Sequence, residues 1–207
     1  MNLKINENTI KAKINGETIE IPKDWEIKSI KDLYKVKNGD LIPEKELLEE
    51  GSYPVYSATV KDKVVGYVNE PKTTLRANID IIVPSRGFSL GNAKLPKTDA
   101  TSTQTTIMLL QKEEEDKNMS RYITNYLKAN RETLFRDTKG TAIKQINRRE
   151  IENIEVPIPE DKEQIKFISD ILERQEELIE LKIKELEIEK KKLKLLQTEI
   201  LSGRIKI

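Results

Sequence analysis

The run from Asp161 to Ser202 constrains this chain more than any other stretch. Counting in sevens from Ile165 lands on Leu172, Ile179, Leu186, Leu193 and Ile200, and no Pro or Gly interrupts the run. A strict seven-residue apolar repeat keeps one seam of an α-helix turned toward a partner helix, which is the coiled-coil condition. Asp161 follows Pro159 and serves as an N-cap, with Gln164 placed to close a capping box, and Gly203 marks the stop. A helix of about 40 residues is roughly 60 Å long, more than packing on a small domain requires. The positions three residues after the first four core sites are Ile168, Gln175, Lys182 and Glu189, while Leu196 follows Leu193. Ile171, Leu178 and Ile183 widen the seam from its flanks. Polar residues within a seam lower its stability but select register and partner. The partner-facing set is therefore Ile165, Ile168, Leu172, Ile179, Leu186, Leu193, Leu196 and Ile200.

The remaining chain is long enough to bury a core of its own. The expected organisation is a globular domain over 1–160 and a long helix over 161–207. The 37 basic and 36 acidic residues nearly cancel, but they are unevenly placed. From Lys117 to Arg149 there are nine basic residues and two acidic ones, whereas the tail from Asp161 carries eleven of each. A basic segment in a neutral chain suits an anionic partner; a solvated charged face is the alternative on that count alone. The chain contains no Cys and no His. That excludes disulfides, thiolate nucleophiles, Cys/His zinc sites and a His general base. The first residues lack the apolar run of a signal peptide, and no stretch approaches a membrane span. A soluble, cytoplasmic protein is expected.

Alternation over residues 1–21 predicts a small hairpin or extended arm, broken at Pro22, and Trp25 reads as a core anchor. Short helices are predicted over Ser29–Val36 and Pro43–Glu50. Strands are predicted at Tyr53–Ser57, Val64–Val68, Ile79–Val83 and Thr105–Leu110, and an amphipathic helix over Ser120–Phe135. These elements make an α/β (α+β) domain.

Catalytic motifs are missing from this pattern. A methyltransferase needs a Gly-rich cofactor loop and an Asn/Asp-Pro-Pro-aromatic motif, and neither occurs in the sequence. Asp80 sits in a strand without the second carboxylate and Lys of a metal-dependent nuclease. The loop residues suit nucleic acid better. Ser85, Arg86 and Lys94 follow a strand. Thr101, Ser102 and Gln104 offer hydroxyls and an amide. Lys139, Thr141, Lys144 and Gln145 lie within the basic segment. Arg and Lys read guanine edges, Gln reads adenine, and hydroxyls and backbone N–H groups hold phosphates. Those ten residues are the candidate DNA contacts.

The order of short motifs resembles a known family. Ile21-Pro22-Lys23-Asp24-Trp25 resembles the opening of the target-recognition domain of type I restriction-modification specificity (S) subunits, and Gly51–Ala58 resembles its first strand. Pro84-Ser85-Arg86-Gly87 and Gly91-Asn92 resemble its central loop. Gly140–Ile146, Val156–Pro159 with Glu163-Gln164, and Leu201–Ile205 resemble the exit into, and the end of, its long helix. The resemblance implies a non-catalytic subunit that finds a sequence in double-stranded DNA for methyltransferase (modification) and restriction subunits. The methyl donor S-adenosylmethionine is then expected on the partner methyltransferase and no cofactor on this chain. The usual member carries two recognition domains and two long helices; this chain has one of each and looks like a half-length form. Two copies pairing their helices antiparallel would make a homodimer that reads two half-sites. A 60 Å helix caps the half-site separation at roughly 18 base pairs. Two other readings stay open: a coiled-coil adaptor whose globular head binds protein, and a recognition fragment of a larger restriction-modification enzyme.

Overall fold

Alternation at the start of the chain closes a hairpin: β1 (Thr9–Ile14) pairs antiparallel with β2 (Glu17–Pro22). Asn15 and Gly16 take positive φ values of 50° and 86°, as a two-residue turn between right-twisted strands demands. Asn15 also ties the hairpin down. Its Nδ2 donates to the Glu155 carbonyl at 2.8 Å, and its Oδ1 accepts from the Glu155 amide at 2.8 Å. The structure is a computed structural model that describes residues 8–59, 64–112, 115–135 and 145–204. Two compact units are distinguished, Met1–Lys166 and Phe167–Ile207.

In the first unit β3 (Trp25–Ser29) pairs with β10 (Glu155–Pro159), so the chain's early and late segments share a sheet. Trp25 is only partly buried, with its ring edge-on to Tyr122 at 6.3 Å between centroids; it packs at a margin and is not the core anchor expected. Ser29 and Asp32 form the expected capping box, but the helix they start, α1 (Ile30–Leu33), lasts one turn. Tyr34–Asn38 is instead β4, paired with β9 (Thr106–Gln111). The reason is visible in the residues. Tyr34 and Val36 alternate with Lys35 and Lys37, and the period of two buries Tyr34 to 1 % and Val36 to 6 % exposure. Similarly, Pro43–Glu50 makes only a 3₁₀ turn at Glu44–Glu46, because Leu48 bridges to Tyr67 and extends the backbone.

The other strands are β5 (Tyr53–Tyr56), β6 (Val64–Val68), β7 (Ile81–Pro84) and the short β8 (Thr101–Ser102). They form two three-stranded sheets, ordered β4-β9-β7 and β6-β5-β8. Leu75, Ile82 and Met108 are fully buried at the core, with Tyr56 and Leu110 packed against them. Gly39 joins the layers. A Cβ there would stand 2.0 Å from the Thr103 carbonyl oxygen, so only glycine lets the two loops meet.

The predicted amphipathic helix becomes α2 (Lys117–Ala129) and α3 (Arg131–Leu134). Asp116 caps α2 by accepting from the Met119 amide at 2.9 Å. The buried face holds Tyr122, Ile123 and Leu127. Four elements went unforeseen: the strands β3, β8 and β10, and α4 (Arg148–Glu152), with a capping box between Asn147 and Glu150.

The long helix α5 spans Lys162–Leu201, 40 residues. Asp161 Oδ1 accepts from the Glu163 amide at 2.9 Å. At the other end the Arg204 amide donates to Glu199 O and the Gly203 amide to Ile200 O. With Gly203 at φ 71°, this is the Schellman closure that the sequence predicts.

Candidate nucleic-acid interface

One strand edge gathers much of the predicted contact set. Ser85 follows β7 directly, and the Ile146 amide donates to its carbonyl at 2.9 Å. Arg86 and Gln145 face each other in an isolated antiparallel bridge. That pairing brings the segment at 145–149 beside the loop at 84–91, although 53 residues separate them in sequence. Between them opens a cleft of about 420 Å³ lined by Ser85, Gln104 and Gln145 together with Asn38, Asn147, Arg148 and Arg149. Gln104, Gln145, Arg148 and Arg149 are all exposed. Arg148 Nε meets Glu152 Oε1 at 3.1 Å, which orients its guanidinium along α4. Ile107 and Ile146 also line it but are 2 % exposed, so its accessible wall is built mainly of amides and guanidiniums, the groups that form bidentate hydrogen bonds with base edges and phosphates.

The predicted residues separate into three groups. Gln104 and Gln145 present their amides to solvent, and Arg86 stands beside them, its Nε buried and without an acceptor among the described residues. Ser85, Thr101 and Ser102 are turned inward. Ser85 Oγ donates to Thr105 O at 2.8 Å, Thr106 Oγ1 donates to Ser102 Oγ at 2.7 Å, and Thr101 lies 3.4 Å from Asp40 Oδ2. Thr101 and Ser102 are 0 % exposed, so those hydroxyls hold the sheet together and are not free to touch a ligand. Lys94 is placed elsewhere, its Nζ 4.9 Å above the Tyr56 ring in a cation–π contact. Lys139, Thr141 and Lys144 lie outside the described residues.

Sequence reasoning did not single out Asn38, Arg148 or Arg149 as contacts. The two arginines carried a signal, since they close the basic segment three and four residues after Gln145. Asn38 carried none, because only the β4–β9 pairing brings it to the cleft.

Asp80, weighed for catalysis as a strand carboxylate, lies instead just before β7, is 1 % exposed and is fully occupied. It accepts from the Arg76 amide, Nε and Nη2 and from the Gln111 amide at 2.8–3.1 Å. This carboxylate also holds the Arg76 guanidinium more firmly charged than usual. Among the described residues no group of three His, Cys, Asp or Glu side chains is placed to hold a metal ion. No helix among them is long and apolar enough to cross a membrane.

On the helix, the predicted seam stands largely in solvent. Leu172, Ile179, Leu186, Leu193 and Leu196 are 38–57 % exposed, and Ile168 and Ile200 are partly covered. Ile165 differs. It is 2 % exposed and belongs to the first compact unit, so it is a core residue of that unit and the exposed seam starts beyond it.

Comparison with known proteins agrees with this architecture. The family model described as type I restriction modification DNA specificity domain matches residues 22–190. The type I restriction enzyme MjaVIII specificity subunit of Methanocaldococcus jannaschii is 30% identical over 178 residues, which are 82% of this chain and 40% of that protein. The solved type I restriction-modification S subunit from M. genitalium shares the fold at a TM-score of 0.62 and 22% identity, covering 86% of this chain and 42% of that one. The HsdS subunit from Thermoanaerobacter tengcongensis does so at 0.57 and 15% identity, covering 75% and 39%. The chain thus spans less than half the length of these relatives. With the family model matched from Pro22 through most of α5, the chain belongs to the type I restriction-modification DNA specificity family.

Proposed function

We propose that this chain reads one half of a bipartite double-stranded DNA target and carries that information to methyltransferase and restriction subunits. The chemistry of methyl transfer and cleavage, with S-adenosylmethionine, resides on those partners. The observation that carries the proposal is the cleft where Gln104, Gln145, Arg148 and Arg149 converge beside Arg86, in a chain matched to the specificity family. Amide and guanidinium groups fixed on a strand edge and a capped helix are suited to major-groove edges, and exposed arginines to the flanking phosphates.

The exposed seam of α5 supports a second copy as the helix's partner. Burying a Leu or Ile stabilises by about 1.5–3 kcal/mol relative to leaving it exposed, and five such seam side chains are more than a third exposed in one chain. Antiparallel pairing would cover them and give a two-fold assembly with two reading domains. The helix surface left over mixes charged residues with exposed apolar ones, Phe167, Leu181, Ile188 and Leu195 among them, and can dock methyltransferase subunits.

The test is selection of bound fragments from a random duplex library, using the purified chain with and without a candidate methyltransferase subunit. Enrichment of one inverted repeat with a fixed gap supports the symmetric pair. Two unlike half-sites would replace the homodimer with a heterologous partner. No enrichment in either condition would move the reading to a protein-binding adaptor.

A further inference from the structure

Phe88 stands in water. At 87 % exposure it is more exposed than any other large apolar side chain among the described residues. Burying a Phe is one of the larger single contributions a fold can make, and this one is withheld from the core. The loop around it is held in place. The Leu90 amide donates to Gly87 O at 3.1 Å, Gly91 to Pro84 O at 2.8 Å and Asn92 to Ser89 O at 2.9 Å. From α3, the Arg131 guanidinium donates to the carbonyls of both Phe88 and Leu90. The backbone is thus fixed on both sides of an outward-pointing ring.

The surroundings mix charge with covered apolar groups. Arg86 precedes the tip, and the groove of about 830 Å³ that Phe88 helps to line also holds Lys128, Arg131, Glu132 and Thr133, with Leu90, Ala129 and Phe135. Leu90 and Phe135 are each 5 % exposed, so they add little apolar surface around the ring, whereas a protein-docking patch would continue it. An exposed aromatic beside cations suits a nucleic acid, with stacking on a base and charge on the backbone. The tip is also close to the reading cleft. Three residues separate Phe88 from Ser85, which lines that cleft. Three residues reach at most about 10 Å, about three base-pair rises of 3.4 Å.

We infer that Phe88 is an aromatic wedge that stacks into a base step within about three base pairs of the bases met by Gln104 and Gln145. This rests on the reading of the chain as a DNA-specificity subunit, and it adds how the duplex is gripped. Insertion of an apolar side chain unstacks a step and bends the helix, which makes flexible pyrimidine–purine steps the favoured ones.

The experiment uses the full chain, with a methyltransferase subunit if selection requires one, and the selected duplex carrying 2-aminopurine at successive positions. The wild-type chain should brighten the probe at one or two adjacent positions next to each half-site. Phe88→Ala should abolish that signal and weaken specific binding about tenfold or more. Phe88→Trp should restore both. An Ala variant that keeps its signal and stays within about twofold in affinity overturns the wedge while leaving DNA reading intact. Loss of affinity with the probe signal unchanged also overturns it, and makes Phe88 a contact that does not enter the base stack. A wild-type chain that selects no sequence overturns the underlying reading instead. Thermal unfolding should be nearly the same in all three proteins, because only a small part of the ring is covered.

Discussion

The buried carboxylate of Asp80 shows how a residue suited to chemistry can be consumed by structure. With four N–H donors around it, it joins the Arg76 turn to the end of β9. Asp80→Ala leaves the Gln111 amide and the Arg76 guanidinium without their acceptor. The expected loss is about 3 kcal/mol, read as a shift in the urea midpoint. Two buried tyrosines contribute to the loss of stability at alkaline pH. Burial pushes the ionisation of Tyr34 and Tyr122 above the ordinary phenol range. In the unfolded chain both titrate near pH 10, so their contribution is complete below that value. It falls as pH rises from about 10 toward the folded pKa, since the ionised phenol favours the unfolded state. A pH series of thermal melts should hold Tm steady up to about pH 9.5 and then lose it steeply; Tyr34→Phe should soften the drop. At the reading cleft, Gln145→Ala and Arg86→Glu should each weaken binding to the selected duplex by about 1–3 kcal/mol while leaving the melt unchanged. Equal binding by both variants would remove the cleft from the site.

Elements were legible where one period ruled. The helix from Lys162 to Leu201, its Asp161 start and its Gly203 stop follow from the heptad and its caps. Strands β5 and β6 follow from runs of Val and Tyr. Where two signals overlapped, the local one misled. The Ser29–Asp32 capping box is real, yet pairing with β9 takes the chain from Tyr34 onward, because burying Tyr34 and Val36 outweighs the weak propensity for a second helical turn. In β10, Pro157 and Pro159 hid a strand that has a sheet partner on one side only, where missing amide donors are tolerated. The candidate site was half legible for the same reason: Gln104 and Gln145 advertise base-reading chemistry, but their meeting with Asn38 depends on long-range pairing. The helix supplies its own prediction. Ile179→Lys with Leu186→Lys places charge on the exposed seam, where nothing in the folded unit depends on it. Sedimentation should show the parent as a dimer and the double variant as a monomer with an unchanged domain melt. A dimeric variant would mean that the copies meet elsewhere.

At the scale of the whole molecule, the proposed assembly makes α5 a ruler. In an antiparallel pair the bundle is as long as one helix, so its length sets the distance between the two read half-sites. Removing residues 180–186 takes out one heptad and returns Leu193 to the position Leu186 held, which leaves the seam in register. Each helix then shortens by about 10.5 Å at 1.5 Å per residue, or about three base pairs of duplex. Library selection with the shortened chain should return the same two half-sites with a gap about three base pairs smaller, and affinity for the original spacing should fall. The half-sites should not change, because no residue of the reading cleft lies on the helix. An unaltered gap would show that the duplex, not the helix, sets the spacing. Altered half-sites would show that the helix takes part in reading. Only a shorter gap with unchanged half-sites fits one domain that reads and one helix that measures.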